Sequence, residues 1–456
     1  MAFASPKDKK QKKDQTQAQI PATGEEDSDV PTPPSRLPAP AARPQAGKSL
    51  SQVPQRQAAY PAVPGTQVTV VPGARYAAGG LRTLVLGQHY RRTWTTPVSV
   101  PVLDLAAFGG GLKPLKKGGG KQTLSLTFEA GDGHRYKFRT LDKDPTPSLA
   151  PALRGTTFDA VVQDQISASH PGALLVADGL SEAARLLHVS HRMFVMPDDD
   201  RLGEFRQEFG GQLGYVEMVP DEEHPMPPGF EGVTKVVESD TLVDRIDNDP
   251  KERIDARSYL KGRLFDIFLG DWDRHQHQWE WVRQGGDDAK WEAYPKDRDM
   301  AFIDFDGLAF GFLRGSNPML VRFGPLYPSL LGLAWNSRVF DRRLLSGLER
   351  PVYQEVAREL QQGLTDDAIV AAVHRLPPEW FAIDGERWIT ALKSRRDRLP
   401  EEAEVFYRLL AGEVELHGTN AAETVEVRRE EPGSVLVVMR NDGDGEPLLQ
   451  RRFKDG

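Results

Sequence analysis

A two-lobed α+β fold is predicted by three observations, with a β-rich N-lobe at about 66–220 and a mainly helical C-lobe at 221–412. Short runs of strand-like alternation, punctuated by glycine clusters, fill the first region. Longer apolar patterns of helical period fill the second, beginning with Ile254 to Phe268. The densest group of aspartates and histidines starts where that helix pattern stops, at Gly270. A Pro/Ala/Lys-rich tail at 1–65 and a short β-rich segment at 413–456 flank the two lobes.

Composition sets the bounds. With 456 residues the chain exceeds one small core and suits two or three domains. Hydrophobic residues at 39% and charged residues at 27% are ordinary for a globular protein. A net charge of -8 argues against nucleic acid as the main partner. The chain has no cysteine, which removes disulfides, thiolate metal sites and a Cys nucleophile together. No apolar run approaches the ~18 residues that would cross a bilayer. The N-terminal lysines have no apolar stretch behind them, so the default expectation is cytoplasmic, or the bacterial envelope if the chain is a fragment.

The elements follow in order. Residues 1–65, with Pro31, Pro33, Pro34, Pro38, Pro40 and Pro44, bury too little apolar surface to order themselves and read as a disordered tail. Thr66–Val71 alternates like a strand. Val98–Leu105 is a second extended piece, and Pro101 within it suits an edge. Gly118, Gly119 and Gly120 precede a strand over Gln122–Ala130, a turn at Gly131-Asp-Gly133 and a returning strand over Arg135–Leu141. Thr157–Ser169 reads as a helix with Phe158, Val161, Val162 and Ile166 on its apolar face. Residues 192–196 and 213–219 read as short hinge-like strands. Ile254–Phe268 is a helix ending at Gly270, and helical patterns resume at 340–375 and 385–411. Three β-like runs close the chain, with a turn at Asn441–Gly445.

The chemistry concentrates in Gly270-Asp-Trp-Asp-Arg-His-Gln-His-Gln-Trp279 and in Tyr294-Pro-Lys-Asp-Arg-Asp-Met-Ala-Phe-Ile-Asp-Phe-Asp-Gly307. Phosphotransfer needs a carboxylate to receive the acceptor's proton, oxygens to hold Mg²⁺ and cations on the phosphates. Asp271, Asp273, Asp297, Asp299 and Asp304 supply the carboxylates. The order of parts (glycine loop, hairpin with a basic strand, acid-bearing helix, paired strands, helix, Asp-Arg-His loop, Asp-rich hairpin) agrees with that chemistry. Trp272, Trp279, Trp281 and Trp291 read as packing around the site.

Asp273-Arg-His-Gln-His-Gln278 resembles the Asp-Arg-His-x-x-Asn catalytic loop of the atypical kinases: the phosphatidylinositol kinases, the HipA-like toxin kinases and the Golgi casein kinase family. The longer phrases, Gly-Asp-Trp-Asp-Arg-His-x-x-Gln-Trp-x-Trp and Asp-Arg-Asp-x-Ala-Phe, also resemble a bacterial envelope-associated family. The resemblance implies a protein-kinase-like fold, ATP and Mg²⁺ as cofactors, and an unidentified hydroxyl-bearing acceptor. Asp273 matches the catalytic base and His275 the histidine that supports it, and Arg274 between them is placed with them in the catalytic group. Gln278 stands where those kinases place a metal-binding Asn. Asp297 and Asp299 lie 24 and 26 residues after Asp273 and match the metal-binding aspartate, Asp297 being preferred on spacing and Asp304 held in reserve. Arg139 stands where a phosphate-holding Lys is expected, with Lys143 as a substitute, Lys137 beside Arg139 on the same strand face as a further cofactor-binding candidate, and Asp164 as the partner acid. Gly118, Gly119 and Gly120 are expected to cradle phosphates. Two other readings stand beside this one: a kinase-shaped binding module without turnover, and a metal-dependent phosphoesterase that uses His275 and His277.

Overall fold

The computed structural model describes residues 66–119, 123–441 and 447–454. The tail at 1–65, Gly120 and most of the turn after Asn441 lie outside them. Within the described residues the fold is mixed α+β.

The hairpin read from Gly131-Asp-Gly133 organises the first sheet. Strands β1 (Gln67–Val70) and β2 (Val98–Pro101) form an antiparallel ribbon of their own, which leaves Pro101 at an edge. Strands β3 (Leu112–Gly118), β4 (Ser125–Ala130), β5 (Arg135–Thr140), β6 (Arg192–Val195) and β7 (Leu213–Met218) form one antiparallel sheet in the order β3-β4-β5-β7-β6. The two runs read as hinge-like strands are thus β6 and β7, which complete this sheet. Alternation puts Leu126, Phe128, Tyr136, Phe138 and Val216 into one buried cluster. Lys137 and Arg139, two residues apart, share the opposite face of β5.

The longer helices are α1 (Thr157–Asp164), α2 (Ala173–Ala183), α3 (Ser239–Asn248), α4 (Ala256–Leu269), α5 (Arg338–Leu345), α6 (Arg350–Gly363), α7 (Asp366–Val373) and α8 (Glu386–Ala411). Helix α1 is shorter than the sequence pattern suggests. Ser167 Oγ donates to the Asp164 carbonyl, and residues 165–168 tighten into a 3-10 turn. Phe158 of α1 is exposed, contrary to its expected place on an apolar face.

Helix α4 starts on Asp255, whose carboxylate accepts from the Arg257 and Ser258 amides, and stops at Gly270 in the left-handed conformation (φ 73°). From Gly262 to Leu269 it is buried on every side, so the single apolar face expected from sequence holds only for its first turns, where Arg257 is exposed. Arg263 and Asp266 go inside with Tyr259, Leu264 and Phe268 because each has ionic partners there.

Strands β8 (Val233–Glu238), β9 (Trp279–Gln284) and β10 (Glu292–Pro295) make a second sheet, ordered β10-β9-β8. In the β9–β10 hairpin Trp279 faces Pro295, and the Lys296 amide donates to the Gln278 carbonyl at 3.1 Å. The two Asp-rich segments therefore leave the same end of one hairpin side by side. Strands β11 (Glu423–Glu431), β12 (Ser434–Asn441) and β13 (Leu449–Lys454) form the third sheet, where the C-terminal β pattern was read.

Candidate active site

After Gly270 the chain alternates between the core and an open cleft. Asp271 is buried, and its Oδ1 accepts the Asp273 amide at 3.1 Å. Asp273 lines the cleft, where Asn336 Nδ2 donates to its Oδ1 at 3.2 Å. Arg274, read as a catalytic residue, turns inward instead and is fully buried. Its guanidinium bonds Asp266 Oδ2 (2.9 Å), the Lys296 carbonyl (2.6 Å) and the Gln278 carbonyl (3.1 Å). It staples the two segments together, because its rigid fork of donors meets three fixed acceptors at once. His275 and Gln278 return to the cleft, while His277 sits near Asp240 at the surface. His275 Nε2 lies 4.0 Å from Asp273 Oδ1, beyond hydrogen-bond reach.

The second segment alternates likewise. Asp297 has φ 59°, a left-handed conformation unusual for a non-glycine residue. Its carboxylate lies in the cleft, 3.2 Å from Arg139 Nη1. Arg298 goes inward to Asp266 (3.0 Å) and Ser181 (3.1 Å), and Asp299 returns to the cleft on Lys143 Nζ at 2.6 Å. Asp304, the reserve aspartate, is buried on Arg322 and Arg387 and acts as a strut.

On the sheet side, Arg139 Nε donates to Glu217 Oε1 at 2.8 Å. Glu217 also meets His191 Nε2 at 2.9 Å, and His191 Nδ1 meets Asp178 at 3.0 Å. Glu217, which sequence reading passed over, is the acid paired with Arg139 on this sheet, where Asp164 was the expected partner. A lone acid in the apolar strand Leu213–Met218 was the available signal. Asp164 is bound instead by Arg91 (2.7 and 2.6 Å) and Arg82 (2.7 Å). Lys137 faces Glu217 across the β5–β7 register and does not line the cleft; burial lowers its ammonium pKa. Gly119 lines the cleft and Gly118 ends β3.

The cleft encloses about 630 Å³. Its polar end carries Arg139, Lys143, Asp273, His275, Gln278, Asp297 and Asp299, and its apolar wall is Val162, Ile166, Met300, Ile303 and Phe305. Neither that wall nor Asn336 was read from sequence. Three polar atoms in the loop, Asp271 Oδ2, Trp272 Nε1 and His275 Nδ1, are buried without a hydrogen-bond partner in the protein.

The charges are strongly coupled. Glu217 first, and then Asp297 against the cost of burial, hold the Arg139 guanidinium firmly protonated. Burial opposes the charge on Lys143, but Asp299 and Asp297 keep its pKa raised. Burial would raise Asp297 too, yet Arg139 and Lys143 pull it below the ordinary carboxylate value. Asp271 is pushed up to about 7, by burial and by the nearby charges of Asp266, Asp273 and Asp299.

Burial alone would lower His191, but Asp178 and Glu217 hold it at about 10, against 6.5 for the free side chain. Its stabilising contribution is complete below pH 6.5 and is lost as pH rises through about 10. The urea midpoint of the wild type should therefore fall between pH 7 and 10, and His191→Gln should flatten that fall. An equal slope in both proteins would refute the assignment.

No protein-family model matches the chain, and no curated protein does. Among solved structures the chain is similar to the Helicobacter pylori proinflammatory kinase CtkA, at a TM-score of 0.32 and 9% identity, over 63% of this chain and 95% of that one. It is also similar to Shewanella oneidensis HipA of the toxin–antitoxin system with HipB and operator DNA, at a TM-score of 0.34 and 12% identity, over 64% of this chain and 67% of that one.

Proposed function

We propose that the chain is an ATP- and Mg²⁺-dependent phosphotransferase acting on a hydroxyl-bearing acceptor. The observation that carries this reading is the polar end of the cleft. Two cations, Arg139 and Lys143, face two carboxylates, Asp297 and Asp299, with Asp273 beside them and an apolar wall at hand for a base.

Each residue has a task. Asp273, oriented by Asn336, takes the proton of the acceptor hydroxyl. The hydroxyl oxygen then bonds the γ-phosphorus as the bond to the β-γ bridging oxygen breaks, and ADP leaves. Arg139 and Lys143 hold the phosphates, with Glu217 keeping Arg139 in place. Asp297, Asp299 and the Gln278 amide oxygen fit Mg²⁺, which takes one or two protein carboxylates and completes its shell with phosphates and water. The bound ion would neutralise charge on the transferred phosphoryl group. Val162, Ile166 and Met300 offer apolar contact to the adenine.

The direct pairs Arg139–Asp297 and Lys143–Asp299 must exchange partners on loading, so nucleotide and metal should bind together. In thermal shift, ATP should raise the wild-type melting temperature only with Mg²⁺, and Asp297→Asn with Asp299→Asn should lose the rise. Ligand at 100 times Kd stabilises by about 2.7 kcal/mol, well within range. A cooperative melt that no nucleotide shifts would overturn the enzyme reading. It would leave the binding-module reading, which the Gln at 278 and the closed ion pairs favour.

A further inference from the structure

Two short helices far apart in sequence, Gly80–Leu86 and Leu308–Leu313, pack against each other. Their junction is glycine on glycine. A Cβ on Gly307 would meet the Gly87 amide nitrogen at 2.4 Å, and Asp306 accepts the Gln88 and His89 amides at 3.1 and 2.8 Å. The inner side of the pair is anchored by Phe310, which packs on Phe305 and His89.

The outer side is apolar and open. Leu81, Leu84 and Val85 share one face of the first helix by their spacing, and Leu308 and Phe312 share one of the second, with Leu313 next to it. All six are exposed, Phe312 at 85% and Leu81 at 78%. Single exposed apolar residues need no explanation, but six on one built pair of helices do.

The charge around the pair says what would cover it. Residues 30–103, which include the first helix, contain no Asp or Glu but eight Lys and Arg. Residues 307–340, which include the second, contain no acid and three arginines, all in a chain of net charge -8. Arg82 and Arg322 lean on Asp164 and Asp304, whose carboxylates are buried, so the arginines are what the surface presents. A second copy meeting this face would bring like charges together across a two-fold contact. The tail at 1–65 has nine Lys and Arg against six Asp and Glu, so it carries the same net sign and is no better matched.

We propose that this helix pair docks on an anionic lipid surface, with Leu81, Leu84, Phe312 and Leu313 entering the interface and Arg82, Arg314 and Arg322 at headgroup level. Apolar side chains below and cations above are the combination that holds interfacial helices to such membranes. The inference does not depend on the phosphotransferase reading.

The test is co-sedimentation of the full chain with vesicles of phosphatidylcholine alone, or mixed equally with phosphatidylglycerol. The chain should partition onto the mixed vesicles, weaken with added salt, and lose about tenfold or more of that binding in Leu81→Asp with Phe312→Asp. Phe312→Trp should retain it. Because both aspartate positions are open to solvent, the variant should melt like the wild type. Equal partition onto both vesicles, no binding to either, or unchanged binding by the aspartate variant would overturn the proposal. So would a wild-type dimer that the variant dissociates without any vesicle binding.

Discussion

Asp266→Ala is expected to be the most damaging single substitution near the site, lowering stability by about 3–5 kcal/mol. This fully buried carboxylate receives Arg274 Nε at 2.9 Å, Arg298 Nε at 3.0 Å and Arg263 Nη1 at 3.2 Å. Burial opposes its ionisation, but the three guanidiniums, Arg274 foremost, hold its pKa below the ordinary value. Removing it leaves Arg274 and Arg298 buried without their counter-charge, Arg263 alone keeping Asp341, which costs far more than losing a surface pair. The damage should reach the cleft, because Arg274 ties the Lys296 and Gln278 carbonyls together only while Asp266 holds it. A urea melt measures the loss. Glu404→Ala, which removes the half-buried partner of the exposed Arg350 and Arg408, is the control and should cost below about 1 kcal/mol, since both cations it frees stay in water. Similar losses for both would show that the network is not what holds this region.

Asp273→Asn should lower phosphotransfer by about 10²- to 10⁴-fold, the usual range for a general base in a positioned site. The amide keeps the shape and can still bond Asn336, but it cannot take the acceptor's proton. The loss should therefore fall on kcat, with the Mg²⁺-dependent thermal shift by ATP preserved. Turnover of ATP with the purified chain measures the first and thermal shift the second. Retained turnover in the Asn variant would remove Asp273 from the reaction. A lost thermal shift would move it from chemistry to binding.

What the chain reveals without its fold is whatever depends on near neighbours. The period of α4, the Asp255 cap and the Gly270 stop are local, so the position of the Asp273 loop at a rigid helix end was legible. The same holds for the β4–β5 hairpin, because Gly131-Asp-Gly133 specifies its own turn. Even so, local pattern could not tell which way each side chain of an irregular loop points. Asp273, His275 and Gln278 line the cleft while Arg274 and Arg298 turn to Asp266, and that division follows from where a buried counter-charge happens to sit.

The tertiary structure alone decided the partners across long separations. Arg139 meets Glu217 because β5 pairs with β7, a register set by two strands 78 residues apart. Asp164 was taken by Arg91 and Arg82 because α1 packs against a segment more than 70 residues before it. An ion pair needs only opposite charge and proximity, so the sequence lists many candidates for each acid. Burial then selects one, since a charge removed from water must be met by the group the fold has already placed beside it.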